Sequence, residues 1–551
     1  MDKLWLNQYQ AGIPKEIDPS AYSSLPDLFV KPFAKYPNHI AFSNMGTDIT
    51  YKELDKLSKH FAAYLQYLGL KKGARVAIMM PNLLQYSIAI FGILRAGMSI
   101  VNINPLYTAA EVSEQLSDCS TEAIIVLANV AHVVEHAKAS IPSLRHVIVS
   151  EVGDSFPLFK RTITNSIVKH VKKMVPCYKK LHHIKFTTAI KQGASLNFLK
   201  PNIEHNDTAF IQYTGGTTGI PKGAVLSHKN LIANILQTTA WLSPIDSSKL
   251  QCIVTALPLY HIFSLTANCF TFFMLGAKNL LITNPRDTND FINKIKNAKF
   301  NAITGVNTLF FSLLNHKNFK KVNFKHLYVT LSGGMSLQKS VASKWQKVTN
   351  KPILEAYGLT ETSPGVTISP LNIEKYTGSV GLPLPSTEIS IRDENGVELK
   401  LGEVGELCVS GPQVMNEYWR KPEETKLSFW DDGYFRTGDS ARVDENGFLY
   451  IVDRIKDLII ISGFNVYPYQ VEEVIAKIPG VKEVAVIRSN SVTGREIVKA
   501  CIVKSDDALT EKDIIEHCKE NLTAYKIPKV VEFYSELPKS NVGKILKRYL
   551  K

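Results

Sequence analysis

No two cysteines in this chain are spaced for a zinc ribbon or a redox turn. The seven that occur (Cys119, Cys177, Cys252, Cys269, Cys408, Cys501 and Cys518) stand singly, and their number is odd. A disulfide framework or structural zinc site is therefore not expected, and a reducing cytoplasm fits best. A long uncharged apolar run is missing too. The most apolar stretches are 86–101, which contains Arg95, and 262–282, which Asn268 and several threonines dilute. A membrane-spanning helix wants about 20 nearly uncharged residues, so both read as buried elements of an α/β core. The start, "MDKLWLNQYQAG", lacks the basic-then-apolar pattern of a signal peptide, and none is expected. Internal repeats and low-complexity segments are also absent.

One more absence is local. Residues 156–185, "FPLFKRTITNSIVKHVKKMVPCYKKLHHIK", hold eight Lys or Arg and no Asp or Glu, in a chain whose net charge is +14. Between the cations, Ile163, Ile167, Val168, Val171, Met174 and Val175 recur at near-helical spacing. A basic amphipathic helix of this kind can lie on an anionic membrane; the other reading is a solvated basic helix packed on its own domain. No nucleic-acid recognition motif accompanies it.

What the chain does have is length and an ordinary globular composition. Its 551 residues, 45% hydrophobic and 21% charged, are too many for one core and argue against disorder. Over 25–200 helical and strand patterns alternate: "YKELDKLSKHFAAYLQYLG" ends at Gly69, "ARVAIMM" is a buried strand, "NLLQYSIAIFGILRAG" a helix and "SIVNIN" a strand. Such alternation suggests βαβ units and a largely parallel sheet. From about 376 short strands take over ("EISIRD", "GELCVSG", "GYFRTGD", "GFLYIVDR"). After "DRIKD" (453–457) the tail alternates helix and strand over a length that suits a small domain. The expected fold is α/β. A large N-terminal domain, 1–453, has two βαβ-type subdomains and a small β-rich one; a small mobile α+β domain, 454–551, follows.

The stretch "YTGGTTGIPKGA" (213–224) has the composition of a phosphate loop but not the Walker spelling, because Lys222 is followed by Gly223. "TAFIQYT" before it and "GAVLSH" after it both read as strands, with a helix only near Lys229. A strand–loop–strand turn with backbone N–H groups, hydroxyls and one cation can grip polyphosphate without a helix dipole.

Four further motifs follow in order: "YGLTE" (357–361), "RTGD" (436–439), "DRIKDLIIISGFNVYP" (453–468) and "PKSNVGKILKR" (538–548). Together the five resemble the adenylate-forming superfamily of acyl-CoA synthetases, peptide-synthetase adenylation domains and luciferases, over essentially the whole chain. "MMPNLLQY", "NPLYT", "TALPLYHIF", "AITGVNTLF", "GLPLPSTE" and "LPKSNVGKIL" are similar to stretches of the bacterial long-chain fatty-acid–CoA ligases. That resemblance implies activation of a fatty acid by ATP to an acyl-adenylate, followed by displacement of AMP by coenzyme A. It also implies the site. Thr214, Gly215, Gly216, Thr217, Thr218, Gly219 and Lys222 would hold the β- and γ-phosphates, with Thr214 and Glu361 as Mg²⁺ ligands. Thr360 would bond the α-phosphate. Ser332, Gly333 and Gly334, with Tyr357 and Gly358, would form the adenine site. Asp439 would take the ribose hydroxyls and Arg454 ribose or phosphate. Lys544 would be the catalytic cation. His261 would flank the acyl pocket and "TGVNTLF" (304–310) line the alkyl tunnel. Lys456 would be the hinge about which the tail domain turns, bringing Gly463 and the "SGFNV" turn to guide the thiol.

Three departures from the family's pattern stand out: Tyr434 where Trp is usual, Arg436 where His is usual, and "YQVE" (469–472) where the family has "NEIE". Altered kinetics or nucleotide contacts are expected from them, not lost activity. The expected partners are ATP, Mg²⁺, coenzyme A, a fatty acid and an anionic membrane surface, with no nucleic acid; a homodimer is compatible. The expected location is cytoplasmic and peripheral on the inner membrane. The rivals are an aryl- or other carboxylic acid–CoA ligase, an acyl-AMP ligase loading a separate carrier protein (the chain stops soon after Lys544, so none is expected to be fused), and a catalytically dead lipid-binding module.

Overall fold

The computed structural model describes residues 3–214, 221–461, 464–490, 496–540 and 543–550. Its β-branched runs pair into two large sheets. In one, Thr208–Thr214, Ser99–Asn102, Arg75–Met79, Ala123–Leu127, His146–Ser150 and Ile184–Lys185 run parallel in that spatial order. Lys222–Ser227 and then Glu417–Tyr418 add antiparallel at one edge. In the other, Leu354–Gly358, Val329–Gly333, Ala302–Gly305, Cys252–Thr255, Lys278–Leu281 and Ile40–Asn44 are parallel. Runs such as "AIIVL" at 123–127 are buried throughout, as a sheet covered on both faces requires.

The helix Leu84–Arg95 touches both sheets, and every residue from Leu84 to Leu94 is buried. It sits tight against the helix Tyr51–Tyr67: a Cβ on Gly92 would lie 2.8 Å from the Phe61 ring. Arg95, which interrupts the apolar run in sequence, is at the helix C-terminus. It bonds Asp55 and the Ser58 hydroxyl, a cation where the helix dipole favours one. Helix starts follow capping rules; Thr50, Thr108 and Thr510 each bond back to an acidic residue three positions on.

Four antiparallel strands (Glu388–Arg392, Gly405–Ser410, Phe435–Val443 and Leu449–Arg454) form the small β-rich unit. Beyond the short turn Ile455–Asp457 the chain builds a separate three-stranded sheet, Val481–Asn490, Glu496–Lys504 and Val530–Phe533, flanked by helices Pro468–Ile475 and Glu511–Asn521. It has its own apolar core, with Val471, Ile475, Val486, Ile502 and Ile514. The fold is thus mixed α/β, a large N-terminal domain of mainly parallel sheets followed by a small C-terminal domain.

The basic stretch is less helical than its periodicity suggests. The helix Leu158–Ser166 widens into a π turn, Ile167–Val171, and stops there. Lys173 takes φ +50° and Pro176 follows, so the backbone cannot continue the helix. Val175 and Tyr178 instead pack against the core under the first sheet. Among the described residues no helix is long and apolar enough to cross a membrane.

Candidate functional site

A cavity of about 1310 Å³ opens at the carboxyl ends of the strands Val329–Gly333 and Leu354–Gly358, closed by the four-stranded sheet and the C-terminal domain. This is where an open parallel sheet exposes backbone groups to a ligand. Of the residues singled out from sequence, Thr214, His261, Ser332, Gly334, Tyr357, Gly358, Thr360, Glu361, Asp439, Arg454, Lys456 and Lys544 line it. Gly333 and Lys222 are not among its lining residues. Gly215, Gly216, Thr217, Thr218, Gly219 and Gly463 lie outside the described residues.

Asp439 is set by its ladder. It pairs with Arg454 across adjacent antiparallel strands, and the Arg454 Nε lies 3.6 Å from its carboxylate. The Tyr357 hydroxyl donates to its other oxygen at 2.6 Å. Burial and that carboxylate keep the phenol protonated. The preceding turn is held from below: Glu406 accepts from the Gly438 N–H at 3.2 Å and from both the Nε and Nη2 of Arg436, at 3.1 and 3.0 Å. Arg436, one of the departures, therefore braces the turn that carries Asp439, while its guanidinium stacks on Trp430. Tyr434 faces away, bonding Glu388 and covered by Arg392.

Glu361 follows Thr360 in the short turn Thr360–Thr362 and is nearly inaccessible, at 8% exposure. Its carboxyl is pushed up by burial and partly relieved by a 2.7 Å bond donated by the Tyr418 hydroxyl; Asp439 pushes the same way as burial, and Lys222 opposes it. Lys222 also lies over the Tyr418 ring, 5.1 Å from its centre. Tyr418 thus ties the exit of the glycine-rich loop to the acidic residue. The loop's described ends, Thr214 and Lys222, pair in the hairpin ladder.

Lys544 comes from the C-terminal domain. The turn Pro538–Leu546 is closed by backbone bonds from Ser540 to the Lys544 carbonyl and from Leu546 to the Pro538 carbonyl. Its Gly543 has φ +83°, and a Cβ there would fall 2.5 Å from the Thr308 hydroxyl, so glycine permits the close approach of the two domains. Lys544 then crosses the 332–334 turn, its Cε 3.5 Å from where a Gly334 Cβ would be. Its ammonium is pulled down to about 8, chiefly by burial and then by Arg454, with Asp439 and Glu361 opposing.

His261 caps the helical stretch after it, accepting the Phe263 N–H on Nδ1 at 3.3 Å. Burial, then Lys544, hold it down to about 3. It is a neutral imidazole at any ordinary pH, suited to walling a pocket or donating from Nε2, not to shuttling protons. Ser332 bears a different mark. Its hydroxyl is buried with no partner among the described residues, which a buried polar group tolerates poorly unless a ligand satisfies it. Among the described residues no three His, Cys, Asp or Glu side chains gather to hold a metal. One buried carboxylate, Glu361, with the Thr214 hydroxyl suits Mg²⁺, which takes few protein ligands and fills its shell from phosphate and water.

Tyr418 and Glu406 are the groups that sequence reasoning did not single out. Each acts through a residue in a recognisable motif but lies far from it in the chain, so no spacing announces them.

Known proteins are similar to this chain along its whole length. The AMP-binding enzyme family matches residues 29–419, and the AMP-binding enzyme C-terminal domain matches 470–544. A long-chain-fatty-acid–CoA ligase of Yersinia pestis is 50% identical over 552 residues, spanning 100% of this chain and 98% of its own. One from Bacillus subtilis (strain 168) is 35% identical, spanning 100% and 97%. Among solved structures, ATP-bound MatB from Rhodopseudomonas palustris superposes with a TM-score of 0.81 at 28% identity, over 95% of this chain and 98% of that one.

The hairpin that carries Thr360 and Glu361 depends on Gly358, where a Cβ would lie 1.9 Å from the Pro364 carbonyl oxygen. The substitution Gly358→Ala is expected to destabilise the large domain by about 1–3 kcal/mol, as for other overpacked sites, and to cut turnover. An unchanged unfolding midpoint would contradict this packing.

Proposed function

We infer that this chain, which belongs to the AMP-binding enzyme family, joins a long-chain fatty acid to coenzyme A at the expense of ATP, by way of an acyl-adenylate. It is an AMP-forming acid–thiol ligase, and it uses ATP, Mg²⁺ and coenzyme A. The observation that carries the site assignment is the meeting of a lysine from the small domain with two carboxylates of the large one in a single cavity.

The chemistry explains that grouping. A carboxylate is a poor acyl donor because its leaving group would be oxide. Attack of one of its oxygens on the α-phosphorus of ATP expels pyrophosphate and makes AMP the leaving group instead. The step needs charge neutralised around phosphorus more than it needs a strong nucleophile. In our reading Lys544 supplies that cation, between the entering carboxylate and the α-phosphate, and Thr360 bonds the same phosphate. Asp439, with Tyr357 holding one of its oxygens, accepts from the ribose. The Ser332 hydroxyl, without a partner among the described residues, and the side-chain-free Gly333–Gly334 backbone take the adenine. Lys222 and the loop 215–219 take the outer phosphates. When bound, Mg²⁺ at Glu361 and Thr214 neutralises phosphate charge. His261 stays neutral and walls the site on the acyl side.

The second step requires Lys544 to leave so that a thiol can reach the acyl carbon. We assign the division to 1–453 and 454–551, with the exposed turn Ile455–Asp457 and its Lys456 as the hinge. That turn carries few internal bonds, as a segment absorbing a φ/ψ change needs. Every group named belongs to one chain, so the chemistry needs no second copy.

We direct the alkyl tail of a long acid toward a second, apolar cavity. This cavity of about 40 Å³ lies between the helix His228–Trp241 and the second sheet, lined by Trp241, Ala267, Phe272, Ala302, Leu331 and Ile368. The finer reading of location is a peripheral enzyme on the cytoplasmic face of the inner membrane, drawn to anionic lipid by the uncompensated cations of 156–185.

Four outcomes test this reading. Lys544→Ala is expected to slow ATP–pyrophosphate exchange by about 10²–10³-fold while sparing thioester formation from supplied acyl-adenylate; near-normal exchange would refute the role. Because the ammonium sits at about 8 and is needed protonated, kcat/KM for ATP in the exchange assay should fall above that pH. Lys544→Arg should be slower yet lose this alkaline limb, since arginine stays charged. Lys456→Pro, which fixes φ near about −65°, should collapse one half-reaction and leave the other; equal loss of both with a lower Tm would mark a folding defect. Ala267→Leu should reduce kcat/KM for the longest acids by about tenfold or more relative to medium-chain ones. An equal loss across chain lengths would remove the cavity from the account.

A further inference from the structure

The helix Leu158–Ser166 and its π turn face the wrong way for a surface helix. Neither contains a buried residue. Phe159 is 80% exposed, Val171 74%, Met174 53%, Ile163 42% and Ile167 39%. Phe159, Ile163, Ile167 and Val171 recur every fourth residue, so they form one stripe, and it points at solvent. The polar side is what holds the helix down. The Asn165 Oδ1 accepts the Gly153 N–H at 2.7 Å, and its Nδ2 donates to Glu151 at 3.0 Å. The Lys160 ammonium donates to the Met45 carbonyl and to the Thr47 hydroxyl. Past the π turn, Asn129 donates to the Met174 carbonyl at 3.0 Å.

A globular surface helix buries its apolar stripe and shows its polar face; this one does the reverse. The arrangement is built in, because Gly153 leaves room for Asn165: a Cβ there would meet its oxygen at 2.8 Å. Around the stripe, Arg161, Lys169, Lys172, Lys173, Lys179 and Lys180 carry positive charge, with no acidic residue anywhere in 156–185. Acidic groups nearby come from other elements and are engaged, Glu151 by Asn165 and Glu135 by the Lys180 N–H. An apolar ridge set among cations matches the chemistry of an anionic lipid surface: acyl chains below, phosphates above.

We propose that the ridge Phe159, Ile163, Ile167 and Val171, with Met174, inserts into the acyl boundary of an anionic phospholipid bilayer while the flanking lysines meet lipid phosphates. The proposal rests on the peripheral reading above and goes beyond it. Attraction of cations alone is screened by salt, whereas buried apolar side chains are not. Binding should therefore have a salt-resistant part, and that part should belong to the ridge.

The test uses the full-length enzyme floated with phosphatidylglycerol/phosphatidylethanolamine vesicles, at low salt and at about 0.5 M salt. The wild type should bind at low salt and keep a substantial share at high salt. The triple substitution Phe159→Ser, Ile163→Ser, Val171→Ser touches exposed positions and should leave Tm and turnover of a soluble medium-chain acid unchanged. Its partition into vesicles should fall by about tenfold or more even at low salt. Changing Lys169, Lys172, Lys173, Lys179 and Lys180 to Gln should instead remove mainly the salt-sensitive part. If the wild type ignores anionic vesicles at low salt, the peripheral reading itself fails. If the wild type binds and the triple variant binds equally well, the peripheral reading stands and the ridge is not the anchor. If the triple substitution instead abolishes a concentration-dependent dimer and leaves lipid binding intact, the ridge covers a second copy, and the proposal is overturned.

Discussion

A lysine ammonium from one domain, lodged in a cavity walled by the carboxylates of another, is the interaction on which this structure turns. Lys544 feels burial and Arg454 in one direction and Asp439 and Glu361 in the other. The two carboxylates are themselves tied down, Asp439 by Tyr357 and Glu361 by Tyr418. The site is thus loaded with fixed charge before any substrate enters. That preorganisation is what a phosphoryl-type displacement rewards, since nothing need reorganise as charge develops.

The same closeness is a constraint. In the reading proposed for Lys544, a lysine that neutralises the α-phosphate would also fill the path to the acyl carbon, so one arrangement of the two domains would serve only one of two reactions. The seam between them is polar. The Asp453 carboxyl, raised to about 6 by burial, accepts the Tyr469 N–H at 2.9 Å, and Tyr469 packs beside Tyr376 of the large domain. Tyr469 is one of the departures noted in sequence, and here it becomes a domain contact. A polar seam separates more readily than an apolar one, in keeping with the hinge reading of Lys456.

Much of this was legible in the chain. The strand–loop–strand reading around 213–224, the buried status of 86–101 and the four short strands after 376 follow from periodicity and turn residues, which act locally. Tyr357, Asp439 and Lys544 were legible because each stands inside a spelled motif. Tyr418 was not: it sits in the two-residue edge strand Glu417–Tyr418, and its partner Glu361 is 57 positions away. The 156–185 stretch shows the limit most clearly. Spacing revealed an apolar stripe but carried no information on which way it faces; that is decided by Asn165 and Lys160 finding backbone partners on 153 and 45. Nor did spacing register the φ of Lys173, which ends the helix early.

The central claim is that the arrangement seen here is the one that makes the acyl-adenylate and cannot make the thioester. It can be tested by locking it. A Cβ at Gly543 would lie 3.8 Å from the Thr308 Cβ, within the range of a disulfide. The pair Gly543→Cys and Thr308→Cys, in a background with the exposed Cys177 replaced by Ser, joins the two domains on oxidation, at some strain from the left-handed backbone at 543. The account requires the oxidised enzyme to release one pyrophosphate per site and retain acyl-adenylate, forming acyl-CoA only after a reductant is added. Formation of acyl-CoA by the cross-linked enzyme at the rate of its reduced form would contradict it.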